Sequence, residues 1–309
     1  MTPLVSIYCS TYNHAAYIRD ALDGFVNQAT EFPFEVIVHD DASTDGTSQI
    51  VREYSNKYSF VKAVIETENQ FSQHKSYYYE SYLPEVKSKY IAKCEGDDYW
   101  IDPHKLQKLT SYLESNQECV ACTHDTIVDD LLRKKKYRLS FLSGDQDVTP
   151  HDLIAYKSPF HTSSLVFRSS LCKPFPDFIR SVPGIGDYPF RIYLATQGAV
   201  HYFDQAMSVY RRGVPGSWTM RRTFDEEKRV QDCNRIIDML ELANEYSDFR
   251  FKQDFESAIL EQEYNILDAR GFYKQMLRYP YRNFLMQRGV KHRLRIIVSA
   301  MLGRGISRG

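Results

Sequence analysis

The stretch Lys93-Cys94-Glu95-Gly96-Asp97-Asp98-Tyr99-Trp100 decides how the chain reads. It follows Tyr90-Ile91-Ala92, a short apolar run of the kind that ends a buried strand. Three carboxylates then stand within four residues, and Gly96 lets the backbone turn between them. Carboxylates this close repel unless positive charge sits among them. Oxygen ligands on a short loop at the C-terminal end of a strand suit a hard cation, Mg2+ or Mn2+. In open α/β sheets that end is also where ligands bind. A solvated acidic turn is the plain alternative.

Upstream, Leu4 to Ser10 reads as a first strand, and Ile18, Leu22, Phe25 and Val26 mark a helix face. Phe34 to His39 is a second strand, ending in Asp40-Asp41. Ala42 to Thr47 follows as a turn rich in helix caps, and Ile50, Val51, Tyr54 and Tyr58 make the next helix face. Val61 to Ile65 is a third strand, residues 73–88 read as a tyrosine-crowded helix, and Tyr90 to Cys94 is a fourth strand. Strands alternating with helices over short links predict a parallel, doubly wound α/β sheet.

Downstream, Asp102-Pro103 opens a helix carrying Leu106, Leu109 and Leu113. Cys119 to Val128 and Thr162 to Arg168 read as strands, with the basic run Arg133 to Lys136 as a solvated loop. Thr149 to Asp152 starts a short helix. Gly186-Asp187-Tyr188-Pro189 precedes an amphipathic helix, and Val200 to Tyr210 is a returning strand or hairpin. From Phe224 glycine disappears until Gly271, and periodic helices form a C-terminal appendage over 222–309. Its last segment, Lys291 to Arg308, is basic and amphipathic. It suits either an anionic membrane face or packing on the protein.

At 309 residues there is room for one large domain or two smaller ones. Lys plus Arg (39) nearly balances Asp plus Glu (40), which argues against a dedicated nucleic-acid binder. No apolar run reaches the ~18–20 residues of a membrane span. The N-terminus has no signal-peptide pattern. The six cysteines are scattered, and Cys119-Val120-Ala121-Cys122 lacks a second pair at zinc spacing. These features predict a reduced, cytosolic protein.

Ser10-Thr11-Tyr12-Asn13, Asp40-Asp41 and Glu95 to Asp98 all fall at strand ends that this topology brings together. No GxGxxG follows the first strand, and no GxxxxGK[ST] occurs, so a diphosphate would need a metal. Taken in order, Val5 to Asn13, Val36 to Thr47 and Glu95 to Pro103 resemble the inverting GT-A glycosyltransferases of family 2, over about residues 4–220. That resemblance implies a GT-A fold: a Rossmann-like, mostly parallel central sheet with flanking helices, plus the C-terminal helical appendage. It implies a domain over 1–221, with a nucleotide-sugar-binding half (1–105) and an acceptor-binding half (106–221). It also implies transfer from a nucleoside-diphosphate sugar, UDP-linked, to a glycan or lipid-linked glycan in bacterial polysaccharide synthesis.

By the same resemblance Ser10, Thr11 and Tyr12 line the nucleotide pocket and Asp41 contacts the base. Glu95 takes the first position of the DXD motif and reaches the ribose, while Asp97 or Asp98 holds the divalent cation, Mg2+ or Mn2+. Asn69 to Ser72 replaces a glycine-containing stretch of many relatives. Asp187 occupies the place of the general base, with a plain helix cap as the alternative. His161 lies on the acceptor side. In the late loop Gly213 stands where a histidine is common, Arg211 or Arg212 meets phosphate, and Trp218 covers the sugar. Two other functions compete: a nucleotidyltransferase, which would want a Gly- and Arg/Lys-rich loop after the first strand, and a non-catalytic scaffold binding through the C-terminal helices. The partners that follow are a sugar donor, an acceptor, a peripheral membrane contact through 289–309 at the inner face of the cell membrane, and a second copy through the C-terminal helices.

Overall fold

Strand β1 (Val5–Thr11) is buried on both faces from Val5 to Cys9, as the centre of a covered parallel sheet must be. It pairs in parallel with β2 (Phe34–Asp40) on one side and β4 (Tyr90–Glu95) on the other, and β2 pairs with β3 (Val61–Ile65). The register sets Thr11 against Asp40, and Ser10 against both His39 and Glu95. The three strand ends therefore reach the same edge. Helix α1 (Ile18–Val26) covers this half with Ile18, Ala21, Leu22 and Phe25 at helical spacing, all fully buried. Helix α2 (Thr47–Lys57) follows β2.

The computed structural model describes residues 2–73, 78–172, 175–182, 187–215 and 226–303. Within them the helix expected over 73–88 is broken up. Phe71–Gln73 is a 3-10 turn, Tyr78–Tyr82 is a π turn, and a single α turn, α3 (Leu83–Glu85), ends the link. Pro84 has no N–H to give a regular ladder. The π turn seats the rings of Tyr78 and Tyr82 at 4.6 and 4.8 Å from that of Tyr8.

Past the acidic turn come β5 (Tyr99–Trp100), α4 (Lys105–Ser115) and the long β6 (Cys119–Asp130). Next are β7 (Lys135–Arg138), β8 (Gln146–Asp147), α5 (Pro150–Ile154), β9 (Val166–Arg168), α6 (Asp187–Gln197) and β10 (Ala199–Arg212). The sheet runs β3-β2-β1-β4-β9-β6-β10-β5, with β7 on β6 and β8 on β10. Its first half is parallel. In the second half β9 enters antiparallel between β4 and β6, while β10 runs parallel to β6. The expected strand over Thr162 to Arg168 is shorter than read, because Thr162–Ser164 forms a 3-10 turn capped by the His161 ring. The basic run Arg133 to Lys136 lies exposed at the β6–β7 hairpin, beside Asp129 and Asp130. All six cysteines are free and buried, and Cys119 Sγ lies 3.1 Å from the carbonyl of Ala121.

The chain forms two units. The first is Met1–Thr149, Ser158–Phe175 and Leu194–Val214; the second is Pro150–Lys157, Pro176–Tyr193 and Pro215–Gly309. This differs from a single cut after residue 221, since two earlier segments belong with the helices. Bonds inside the second unit are the reason. Tyr188 Oη donates to the Ile154 carbonyl at 2.6 Å, and buried Arg191 donates to the Asp152 carbonyl at 2.9 Å. The ring of Phe178 packs against Tyr246, and His151 pairs with Asp254. The helices of this unit are α7 (Glu226–Tyr246), α8 (Lys252–Ala269), α9 (Tyr273–Met276), α10 (Tyr281–Gln287) and α11 (Val290–Met301).

Candidate active site at the strand ends

β4 delivers Glu95 to the sheet edge, and the chain turns at once. Gly96 N–H donates to the Ser10 carbonyl at 2.8 Å, and Asp98 N–H donates to the Glu95 carbonyl at 3.1 Å. The turn is pressed onto β1 so closely that a Cβ on Gly96 would lie 2.5 Å from Thr11 Oγ1 and 2.7 Å from Thr11 Cβ. Only glycine fits there without displacement.

Asp97 and Asp98 then part ways. Asp98 is buried. Its Oδ1 accepts from the Arg211 backbone N–H at 2.9 Å, but Oδ2 is buried with no hydrogen-bond partner. Burial, with Asp97 and Glu95 close by, pushes its carboxyl well above the usual range. Oδ2 lies 3.4 Å from Nδ1 of His161, whose ring stacks on Tyr210 at 4.1 Å. Asp97, in contrast, faces His14, whose Nε2 is 3.8 Å from Asp97 Oδ2. Burial lowers the His14 pKa against the pull of Asp97.

One ligand atom from each of Glu95, Asp98 and His161 lies within 4.8 Å of the others. Two carboxylates, one of them carrying the orphaned buried oxygen, and an imidazole form a donor set that fits a divalent cation. The expected ligand was Asp97 or Asp98. The convergent set keeps Asp98 and brings in Glu95 and His161.

Beneath His161 runs a buried polar chain that sequence reading missed. Ser163 Oγ lies 2.9 Å from His161 Nδ1 and 3.1 Å from Ser208 Oγ, which lies 3.0 Å from Thr126 Oγ1. The Ser163 carbonyl accepts from Trp100 Nε1 and from Lys105 Nζ, each at 2.8 Å. Lys105 is fully buried with its amine 3.5 Å from the Trp100 ring centroid, and desolvation lowers its pKa well below the usual value. A signal existed: Lys105 stands at i, i+4 and i+8 with Leu109 and Leu113, on the apolar side of its helix.

On the nucleotide side, Ser10 is half-buried, Thr11 is buried and Tyr12 is exposed beyond the strand. Asp41 is buried and already occupied. Its Oδ1 accepts from Gln70 N–H at 2.6 Å and its Oδ2 from Phe71 N–H at 3.1 Å. Residues 69–72, where a glycine stretch was missing, thus serve to hold Asp41. Arg211 also has other work. Its guanidinium donates to the Asp97 carbonyl at 2.9 Å, pairs with Asp20, and lies over the Tyr99 ring at 4.3 Å. It braces the acidic turn. Arg212 lies 3.3 Å from Tyr137 Oη. Asp187 is exposed at the first turn of α6, in the second unit. Trp218 lies outside the described residues.

Against known proteins, the model of the glycosyl transferase family 2 matches residues 6–173, more than half of the chain. The chain belongs to this family. It is a glycosyltransferase with a GT-A fold. A protein of Mycobacterium bovis described as uncharacterized is 35% identical over 78% of this chain and 69% of its own. An uncharacterized glycosyltransferase of Rickettsia typhi is 26% identical over 68% and 64%. Among solved structures, the mannosyltransferase PcManGT of Pyrobaculum calidifontis, in complex with GDP-Man and Mn2+, superposes with a TM-score of 0.58. It covers 98% of this chain and 81% of its own, at 18% identity. S. aureus TarS in complex with UDP-GlcNAc gives 0.56, at 19% identity over 88% and 80%.

Proposed function

We propose that this glycosyltransferase works with inversion, moving a sugar from a nucleoside-diphosphate sugar, UDP-linked, to a hydroxyl of a glycan or lipid-linked glycan in bacterial polysaccharide synthesis. The observation that carries the reading is the convergence of Glu95, Asp98 and His161 at the ends of β1 and β4. These three residues would hold Mg2+ or Mn2+, and the Mn2+ in the PcManGT complex supports that choice. When bound, such a cation would offset negative charge on the donor diphosphate. Ser10, Thr11 and Tyr12 receive the nucleoside on this reading, with Asp41 fixed by the 69–72 turn to face the base through its remaining lone pairs. The TarS complexes with UDP and UDP-GlcNAc support a uridine donor and the GDP-Man of the PcManGT complex a guanosine one.

Asp187 is the general base. Its carboxylate takes the proton of the acceptor hydroxyl as that oxygen attacks the anomeric carbon, and the nucleoside diphosphate leaves from the opposite face. The experiment measures donor binding and turnover on the same preparations. UDP-sugars with Mn2+ should raise thermal stability, by about 2.7 kcal/mol at 100 times Kd, and EDTA should remove the effect. Asp187→Asn should keep donor binding and lose ~10²–10⁴-fold in kcat. Undiminished donor binding in EDTA would remove the metal. Near-normal turnover in Asp187→Asn would move the base elsewhere.

A further inference from the structure

Helix α11 is apolar on two faces, and only one is used. Ile296 is fully buried in a cluster with Tyr264, Met276 and Leu285, and Ala300 is buried one turn on. The opposite side carries Val290, Leu294 and Val298, with Leu302 just past the helix end, at successive i+4 steps. They are 59%, 57%, 49% and 62% exposed, and Met301 beside them is 80% exposed. Four aliphatic side chains in one solvent-facing row are not explained by folding, which they do not serve.

The charge around this row is lopsided. Residues 269–303 contain eight Lys and Arg and no Asp or Glu, in a protein whose net charge is −1. Two of the eight, Arg288 and Arg295, pair with Glu261 and Asp268 of α8. The other six have no carboxylate partner among the described residues. We infer that this face of α11, with the basic residues around it, docks on an anionic lipid bilayer, the helix lying in the headgroup plane.

Three points select that occupant. No described helix is long and apolar enough to cross a membrane, so the row lies on a bilayer and does not span it. A nucleic acid would answer the charge and leave the aliphatic row in water. A second copy related by a two-fold axis would set the same basic surface against itself. The inference is independent of the donor and the base, because none of these residues belongs to the acidic turn.

The test is vesicle co-sedimentation of the full chain, with phosphatidylcholine alone and with phosphatidylcholine mixed with phosphatidylglycerol. Binding should appear on the anionic vesicles only, and should fall on the order of tenfold from low to high salt. The double variant Leu294→Asp/Val298→Asp should keep the melting temperature, because both positions are exposed, and should lose at least about tenfold in vesicle binding. Lys291→Gln/Arg293→Gln should weaken binding to anionic vesicles several-fold and leave the melting temperature alone. No binding to anionic vesicles, equal binding to neutral ones, or unaltered binding of Leu294→Asp/Val298→Asp overturns the inference. So does light scattering that shows a dimer dissociated by that variant.

Discussion

The acidic turn of the first unit and the C-terminal helices of the second handle charge in opposite ways. At the turn, Asp98 and Lys105 are taken out of water, and an oxygen of Asp98 lacks a hydrogen-bond partner. On the helices, Arg288 and Arg295 keep their guanidinium groups partly solvated beside Glu261 and Asp268. Burial magnifies every electrostatic interaction, favourable or not, whereas solvent screens it. The first arrangement costs stability and leaves a donor set ready for a cation. The second costs little and leaves the surface free to meet a partner. A site for chemistry and a site for docking thus separate by solvent exposure.

The sharpest way to break this contrast is Gly96→Ala. Thr11 Cβ, at 2.7 Å from the added atom, cannot swing aside as a side-chain tip would. We expect a loss of about 1–3 kcal/mol in urea denaturation, with donor binding weakened as the turn lifts off β1. An unchanged midpoint would mean that the turn is not pressed against the strand.

Lys105→Met refines the contrast through pH. Burial depresses the folded-state pKa of Lys105 below the ordinary 10.5, so the unfolded chain binds more protons between those two values. Stability contributed by this group is therefore complete above 10.5 and is lost as pH falls through the window to the lowered pKa. The slope should reach at most about 1.4 kcal/mol per pH unit. Lys105→Met should flatten the profile in the region just below pH 10.5. The Ser163 carbonyl keeps Trp100 Nε1 as a donor in that variant. A slope that persists would assign the pH dependence to another buried group.

The smallest effect belongs to the second unit. Arg295→Gln removes a pair whose arginine is largely exposed, and should cost less than about 1 kcal/mol. A larger loss in the same denaturation assay would show that the C-terminal helices rely on charge as heavily as the turn does.

Much of the fold was legible because its signals are local. Alternating or continuous apolar runs placed β1 to β4, and i, i+3, i+4 spacing placed α1 and α4. The errors came where a local pattern had a non-local purpose. Residues 73–88 read as one tyrosine-crowded helix, but Tyr78 and Tyr82 pack their rings against Tyr8 of β1. Thr162 to Ser164 looked like strand, but His161 caps a turn there because Ser163 must meet Trp100 and Lys105.

The order of strands and helices and the three polar strand ends were legible in the sequence. These follow from backbone sterics and hydrophobic periodicity, which act over a few residues. Packing across the sheet fixed that Asp98 turns inward while Asp97 faces His14, that Gly96 lies too close to Thr11 for a larger residue, and that Arg211 braces the turn from β10. It also decided that His161, sixty-odd residues away, meets Asp98, and that Val290, Leu294, Val298 and Leu302 stay exposed. Each depends on strand register and on which face of an element is covered. Neighbouring residues such as Asp97 and Asp98 are equivalent until packing turns one towards His14 and the other towards His161.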